Sequence, residues 1–165
     1  MNCANCGAAM RFVPRRSYLV CDYCTTFHFP GSSESALGMT LLERGSNRKC
    51  PVCADELVAA AIEGCEVEFC RSCRGVLTAN GDFAYFIRRR REQFDGLPPD
   101  PLPLDPTEYE RQVDCPACGS QMDVHPYYGP GNVVIDTCGR CCLIWFDHGE
   151  LAAIEAAPSA ESRTN

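Results

Sequence analysis

The stretch CGRCCLIWFDHGEL, residues 138–151, decides how the chain is read. Its fourteen positions hold three cysteines, an aspartate, a histidine and a glutamate, which would suit an active site or half of a structural metal site running into a helix. An echo elsewhere separates the two. RSCRGVLTANGDFAYFI (71–87) aligns with GRCCLIWFDHGELAAIE (139–155) at a constant offset of 68, pairing Leu77 with Trp145, Gly81 with Gly149, Asp82 with Glu150 and Phe83 with Leu151. What repeats is the cysteine knuckle and the apolar run after it, while the histidine does not repeat; repetition of this kind belongs to architecture.

Working outward, twelve of the fourteen cysteines form six C-x-x-C pairs: Cys3/Cys6, Cys21/Cys24, Cys50/Cys53, Cys70/Cys73, Cys115/Cys118 and Cys138/Cys141. Taken in order they make three double pairs with inner gaps of 14, 16 and 19 residues, the pattern of a four-cysteine zinc site. Each first pair is followed four residues later by a long side chain, Met10, Leu57 or Met122. Between the pairs, MRFV/PRRS/YLVC, LVAAAI/EG/CEVEFC and MDV/HPYYGPGN/VVIDTC read as hairpins, since β-branched and aromatic residues flank turn formers. Such a hairpin is too small to stand alone in water, so metal supplies the stability that a small apolar surface cannot.

The N-terminus carries no charged segment leading into an apolar run, and the longest apolar run, Leu57 to Ile62, is far short of the ~20 residues of a membrane span. A cytoplasmic chain without membrane contact is expected, with thiols kept reduced for metal. Four thiolates in a tetrahedron suit iron as well as zinc. Zinc is expected, three ions in all, because nothing else points to electron transfer. The formal charge is −7, and each four-thiolate zinc site adds about two negative charges, which brings the chain to roughly −13.

These patterns predict a small metal-stabilised α+β chain of three tandem zinc ribbons, the second and third each followed by an α-helix. The expected units are a first ribbon (1–30), a linker (31–49) with a short helix around Leu37 to Glu43, and a second ribbon plus helix (50–96). A Pro-rich linker (97–112) then isolates a third ribbon plus helix (113–157), and a disordered tail (158–165) ends the chain. In the opening stretch, Asp147 and Glu150 stand as a capping box, with Trp145 and Phe146 packing the new helix on its hairpin. His148 reads as a solvent-facing residue of the first turn, and Cys65 and Cys142 as small packing residues. The rival reading makes Cys65 or Cys142 a nucleophile with His148 as its base, or a redox thiol, but of the three histidines, His28, His125 and His148, none repeats across the units, so nothing marks a base held by a third group.

Two basic features are candidate nucleic-acid contacts. Arg11, Arg15 and Arg16 surround the first hairpin turn beside Phe12 and Tyr18, and Arg88, Arg89, Arg90 and Arg91 end the helix DFAYFIRRRREQF, whose Phe83, Phe86, Ile87 and Phe94 share one face. Each also has a plain reading, as a solvated hairpin tip and as a complement to the helix dipole.

The pattern C-P-x-C-x3-[LM], C-x-x-C, an aromatic, then D-x-G-E-L resembles the transcription-factor zinc-finger family. Its members are mostly bacterial and carry a ribbon like that of transcription factor IIB. The third unit carries the resemblance through Cys115, Pro116, Cys118, Met122, Cys138, Cys141, Trp145, Asp147, Gly149, Glu150 and Leu151. The second departs at Leu77, Ala79, Asp82 and Phe83; the third has Leu143 where the family usually has the glycine that the second keeps at Gly75. The first unit is similar to a generic ribbon only. The resemblance implies zinc at the three quartets and no enzymatic activity, and leaves the partner open. The expected function is a non-catalytic adaptor for a protein partner. Binding of nucleic acid or the transcription machinery is the alternative, disfavoured by the negative charge, and a thiol-based redox protein the third reading.

Overall fold

A computed structural model describes residues 1–31, 38–100 and 102–158. The first ribbon folds as β1 (Arg11–Val13), β2 (Tyr18–Val20) and β3 (Phe27–His28) in a three-stranded antiparallel sheet. β4 (Thr40–Lys49) follows, then the hairpin β5 (Glu56–Ile62) and β6 (Cys65–Phe69). Its two-residue turn, Glu63-Gly64, has φ of 49° and 81°, the mirror-image turn whose twist suits flanking strands. A knuckle then leads into β7 (Val76–Ala79) and α1 (Asn80–Gln93). The third ribbon repeats this plan with β8 (Asp123–Pro126), β9 (Val134–Cys138), β10 (Leu143–Phe146) and α2 (Glu150–Ala156).

The second and third ribbons are not isolated. They share one seven-stranded sheet of order β4-β5-β6-β7-β10-β9-β8, joined where β7 and β10 pair antiparallel. The register sets Leu77 opposite Trp145, Val76 opposite Phe146 and Thr78 opposite Ile144. The 68-residue offset makes Leu77 equivalent to Trp145, Val76 to Ile144 and Thr78 to Phe146, so the pairing exchanges the flanking residues and a local twofold axis passes through the Leu77/Trp145 pair. The Pro-rich segment expected to separate the ribbons is therefore a strap between two halves of one sheet. Its Leu102 carbonyl accepts from Asn132, its Pro103 carbonyl accepts from Arg15, and it turns as a 3-10 helix at Pro106–Tyr109. The 31–49 linker is likewise corrected over its second half: β4 pairs with β5, and Arg44–Glu66 and Arg48–Glu68 ion pairs reach beyond it to β6. With only Leu41 and Leu42 as apolar residues, this strand shows little alternation, and the helix expected around 37–43 is not formed at 40–43. Residues 32–37 of that linker and 159–165 of the expected tail lie outside the described residues.

Alternation along the strands sorts the interior into two faces. One carries Ala60, Ile62, Val67, Phe69, Val76, Ile144 and Phe146 against Phe83, Phe86 and Ile87 of α1 and Leu151 and Ile154 of α2. The other carries Leu57, Leu77, Val113, Met122 and Trp145 among the cysteines of the second and third quartets, with Phe27 of the first ribbon packed on it. Phe146 thus packs the helices, whereas Trp145, expected beside it, faces the opposite way. Phe94, expected on the buried helix face, sits at the C-cap and is 38% exposed. Trp145 lies on Gly75, where a Cβ would fall 2.1 Å from the indole. By the same register, Leu143 stands toward Leu77 as Gly75 does toward Trp145. Among the described residues no helix is long and apolar enough to cross a membrane.

Candidate metal centres

The six knuckles are built alike. The residue after each second cysteine has positive φ: Gly7, Thr25, Ala54, Arg74, Gly119 and Cys142, between 54° and 77°. In five of them its amide donates to the carbonyl of the first cysteine at 2.8 to 3.0 Å, and the first cysteine's own amide donates to the residue five further on at 2.7 to 3.0 Å. This double turn aims both thiols of a pair to one side, and the hairpin carries a second pair to face them. The sulfurs of Cys3, Cys6, Cys21 and Cys24 all lie within 4.8 Å of one another, as do those of Cys50, Cys53, Cys70 and Cys73, and those of Cys115, Cys118, Cys138 and Cys141.

The spacing tests the donor set. All fourteen cysteines are free. Cross-pair separations are 3.6 Å for Cys3–Cys24, 3.5 Å for Cys6–Cys21 and for Cys50–Cys73, 3.4 Å for Cys53–Cys70 and 3.7 Å for Cys118–Cys138. A disulfide would need about 2.0 Å, whereas four sulfurs at about 2.3 Å around a tetrahedral Zn²⁺ stand about 3.8 Å apart. Residues 114–157 match the transcription factor zinc-finger family. No curated protein and no solved structure matches the chain. The zinc-finger match and the three quartets together give the chain three Zn²⁺ ions, one per site. Bound there, zinc would cross-link two knuckles and offset half the charge of the four thiolates.

Crowding splits the thiols. In the zinc-finger segment the Ser120 amide, the Ser120 hydroxyl and Cys141 hold Cys118 down to about 6, while Cys118 and burial push Cys141 up to about 12. Thr26, through its hydroxyl and then its amide, holds Cys24 at about 6. A divalent cation removes the conflict by stabilising all four thiolates at once.

Around the zinc-finger helix start lies a cluster that sequence reasoning missed. Glu150 does reach back to the Asp147 amide at 2.8 Å, which is half of a capping box. The other half fails: Gly149, with φ of 90°, is the N-cap, and the Asp147 carboxylate accepts instead from Trp145 Nε1 at 3.0 Å and from Arg16 and Arg111. Arg111 also pairs with Asp136, and Arg16 reaches Glu150 at 2.7 Å and Glu108 at 3.2 Å. Asp136, Asp147 and Glu150 are all at least nine-tenths buried. Burial would raise Asp147, but Arg16 and Arg111 outweigh it and hold the carboxyl below its usual range. Burial pushes Glu150 up to about 8 against the pull of Arg16. Arg16, read as part of an exposed hairpin tip, is thus the bolt that fixes the first ribbon to the third. Its only sequence signal is its place beside a turn.

The remaining named residues divide cleanly. Arg11 forms a bidentate pair with Asp22, Arg15 stands 3.9 Å from Glu108, Arg90 pairs with Glu155 at 3.1 Å and Arg91 donates to the Ile154 carbonyl of α2. Arg89 reaches Glu63 and Tyr85, and Arg88 is exposed. His148 is not solvent-facing: its ring packs edge-on against Phe29 at 4.7 Å, its Nδ1 is buried, and burial and then Arg74 press its pKa down to about 4. Cys65 is half-buried against the helix-side core. Cys142, expected to pack, is exposed at a knuckle's left-handed position.

Proposed function

We propose that the chain is a non-catalytic zinc-binding adaptor that presents its ribbons to a protein partner. The fate of the arginines carries this reading. Of the seven proposed for phosphate contact, Arg11, Arg15, Arg16, Arg90 and Arg91 engage acids or carbonyls of their own chain, Arg89 has partners in Glu63 and Tyr85, and Arg88 is exposed. With the chain near −13 once three sites are loaded, the long-range field also repels a polyanion. Burial and then Asp82 and Glu63 hold the Cys65 thiol above its usual range, which disfavours a thiolate nucleophile there.

The alternative is nucleic-acid binding through the first ribbon and Arg88 to Arg91. Titration of the zinc-loaded chain with DNA and RNA at two salt concentrations separates the two. Arginine–phosphate contacts give an affinity that falls steeply with salt, whereas the adaptor gives no saturable binding at either. A slope equivalent to three or more phosphates would replace the adaptor reading.

A further inference from the structure

The local twofold axis relates the surroundings of the two ribbons as well as the ribbons, and the surroundings are unequal. Arg74 lies across the β7/β10 seam from His148, and together they seat Phe29 of the first ribbon. The guanidinium stands 4.1 Å over the ring and the imidazole meets it edge-on at 4.7 Å. The 68-residue offset carries Arg74 and His148 to Cys142 and Asn80, themselves joined by an amide-to-carbonyl bond of 2.9 Å. At that second place there is a cleft of about 470 Å³, lined by Asn80, Phe83, His125, Tyr127, Tyr128 and Cys142 among others. That size is ordinary for a binding site.

We propose that this cleft seats an aromatic side chain offered by an extended segment of a partner protein, as the twin site seats Phe29. The proposal rests on the adaptor reading and names the chemistry of its partner. Three features support an aromatic occupant. Thr137, in the cleft wall, is the counterpart of Phe69, which is fully buried in the second ribbon, so the third ribbon lacks one ring that its twin supplies from its own strand. His125 is held by the Pro126 carbonyl at 2.9 Å and the Thr137 hydroxyl at 3.0 Å, which fixes the plane of its ring. Tyr128 stacks on it at 5.4 Å and 18° yet is 87% exposed, an aromatic shelf prepared and left uncovered. The extended form follows from the sheet edge. β4 covers β5 in the second ribbon, whereas in the third the same ladder begins at the Asp114–Gln121 bridge and stops, and among the described residues β8 ends the sheet. A partner strand can add there.

The probe is the peptide Thr-Thr-Phe-His-Phe-Pro-Gly, copied from residues 25–31, titrated into the zinc-loaded, isotope-labelled chain. Amide shifts should saturate at Asn80, Phe83, His125 and Tyr128. Replacing the peptide's second phenylalanine by alanine should weaken binding about tenfold or more. Tyr128→Ala, an exposed change expected to leave three zinc ions bound, should weaken it too. Cys142→Arg should tighten it about two- to fivefold by restoring a cation over the ring, at a position whose twin already holds arginine in the left-handed conformation. Shifts centred on Arg74 and His148, no saturation at millimolar peptide, or an unchanged dissociation constant for Cys142→Arg would each overturn the proposal. Concentration-dependent broadening at the cleft without peptide would overturn it in favour of a second copy. A native partner captured equally by wild type and Tyr128→Ala would sink the cleft and spare the adaptor. Peptide binding at the cleft with no native partner found would do the reverse.

Discussion

Twelve cysteines announce themselves by spacing; the backbone beneath them does not. The left-handed position after each second cysteine is occupied by glycine in only two of six knuckles, so composition hides it. It yields a paired test. Gly119→Ala, whose added Cβ meets nothing within 4 Å, should cost about 1–2 kcal/mol through backbone strain alone, while Ala54→Gly should be neutral or stabilise by up to about 1 kcal/mol. Chemical denaturation of the zinc-loaded chain measures both, and equal effects of the same sign would refute the strain argument. His148 gives a second test, with a definite sign. Its folded pKa lies near 4, below the ordinary 6.5, so the folded state prefers the neutral ring. Its contribution is complete above about pH 6.5 and is lost as pH falls toward 4. After allowance for solvent screening of this half-buried group the loss is on the order of 1–2 kcal/mol. Comparing wild type with His148→Phe between pH 7 and pH 5 isolates the term, because both carry the same thiolates; parallel curves would contradict it.

The hairpins were legible as elements because β-branched and aromatic residues flank turn formers in each, and α1 because Phe83, Phe86 and Ile87 fall at helical spacing. β4 was not, since its cohesion comes from Arg44 and Arg48 reaching acids on β6, two strands away. The docking of the first ribbon was hidden for a similar reason. A lone arginine beside a turn looks solvated until the acids 131 and 134 residues later close around it. Arg16→Ala should remove that bolt, leaving the buried Asp147 carboxylate short of countercharge and Glu150 without the guanidinium that reaches it, at about 3–5 kcal/mol. Its mark is local: faster amide exchange and proteolysis in residues 1–30, with β5 through β10 still protected. Uniform loss of protection across both sheets would mean that the first ribbon is integral to the core.

For the molecule as a whole, three metal sites and two helices could be read in advance, but one fused sheet could not. The offset that revealed the repeat says that two units are alike, not that they touch. β7 and β10 carry apolar residues on both faces, a hint that each needs a covering on either side. The sites differ in shelter: Cys6 of the first is exposed, whereas the second and third lie among Leu57, Leu77, Met122 and Trp145. A chelator should therefore strip one ion quickly and two slowly from a chain that starts with three. Followed with a metal indicator and far-ultraviolet circular dichroism, the fast phase should leave most of the seven-stranded sheet intact; three equivalent ions lost together would refute the order.

The unequal contacts across the Leu77/Trp145 axis bear on kinship between the halves. A second ribbon meeting its own duplicate would set Gly75 against Leu77 and leave a hollow, while a third meeting its own would force Leu143 into Trp145. Only the mixed pairing fits bulk to gap. Each half thus refuses itself and accepts its sibling, so severed halves made in the same cell should seek each other out as a heterodimer.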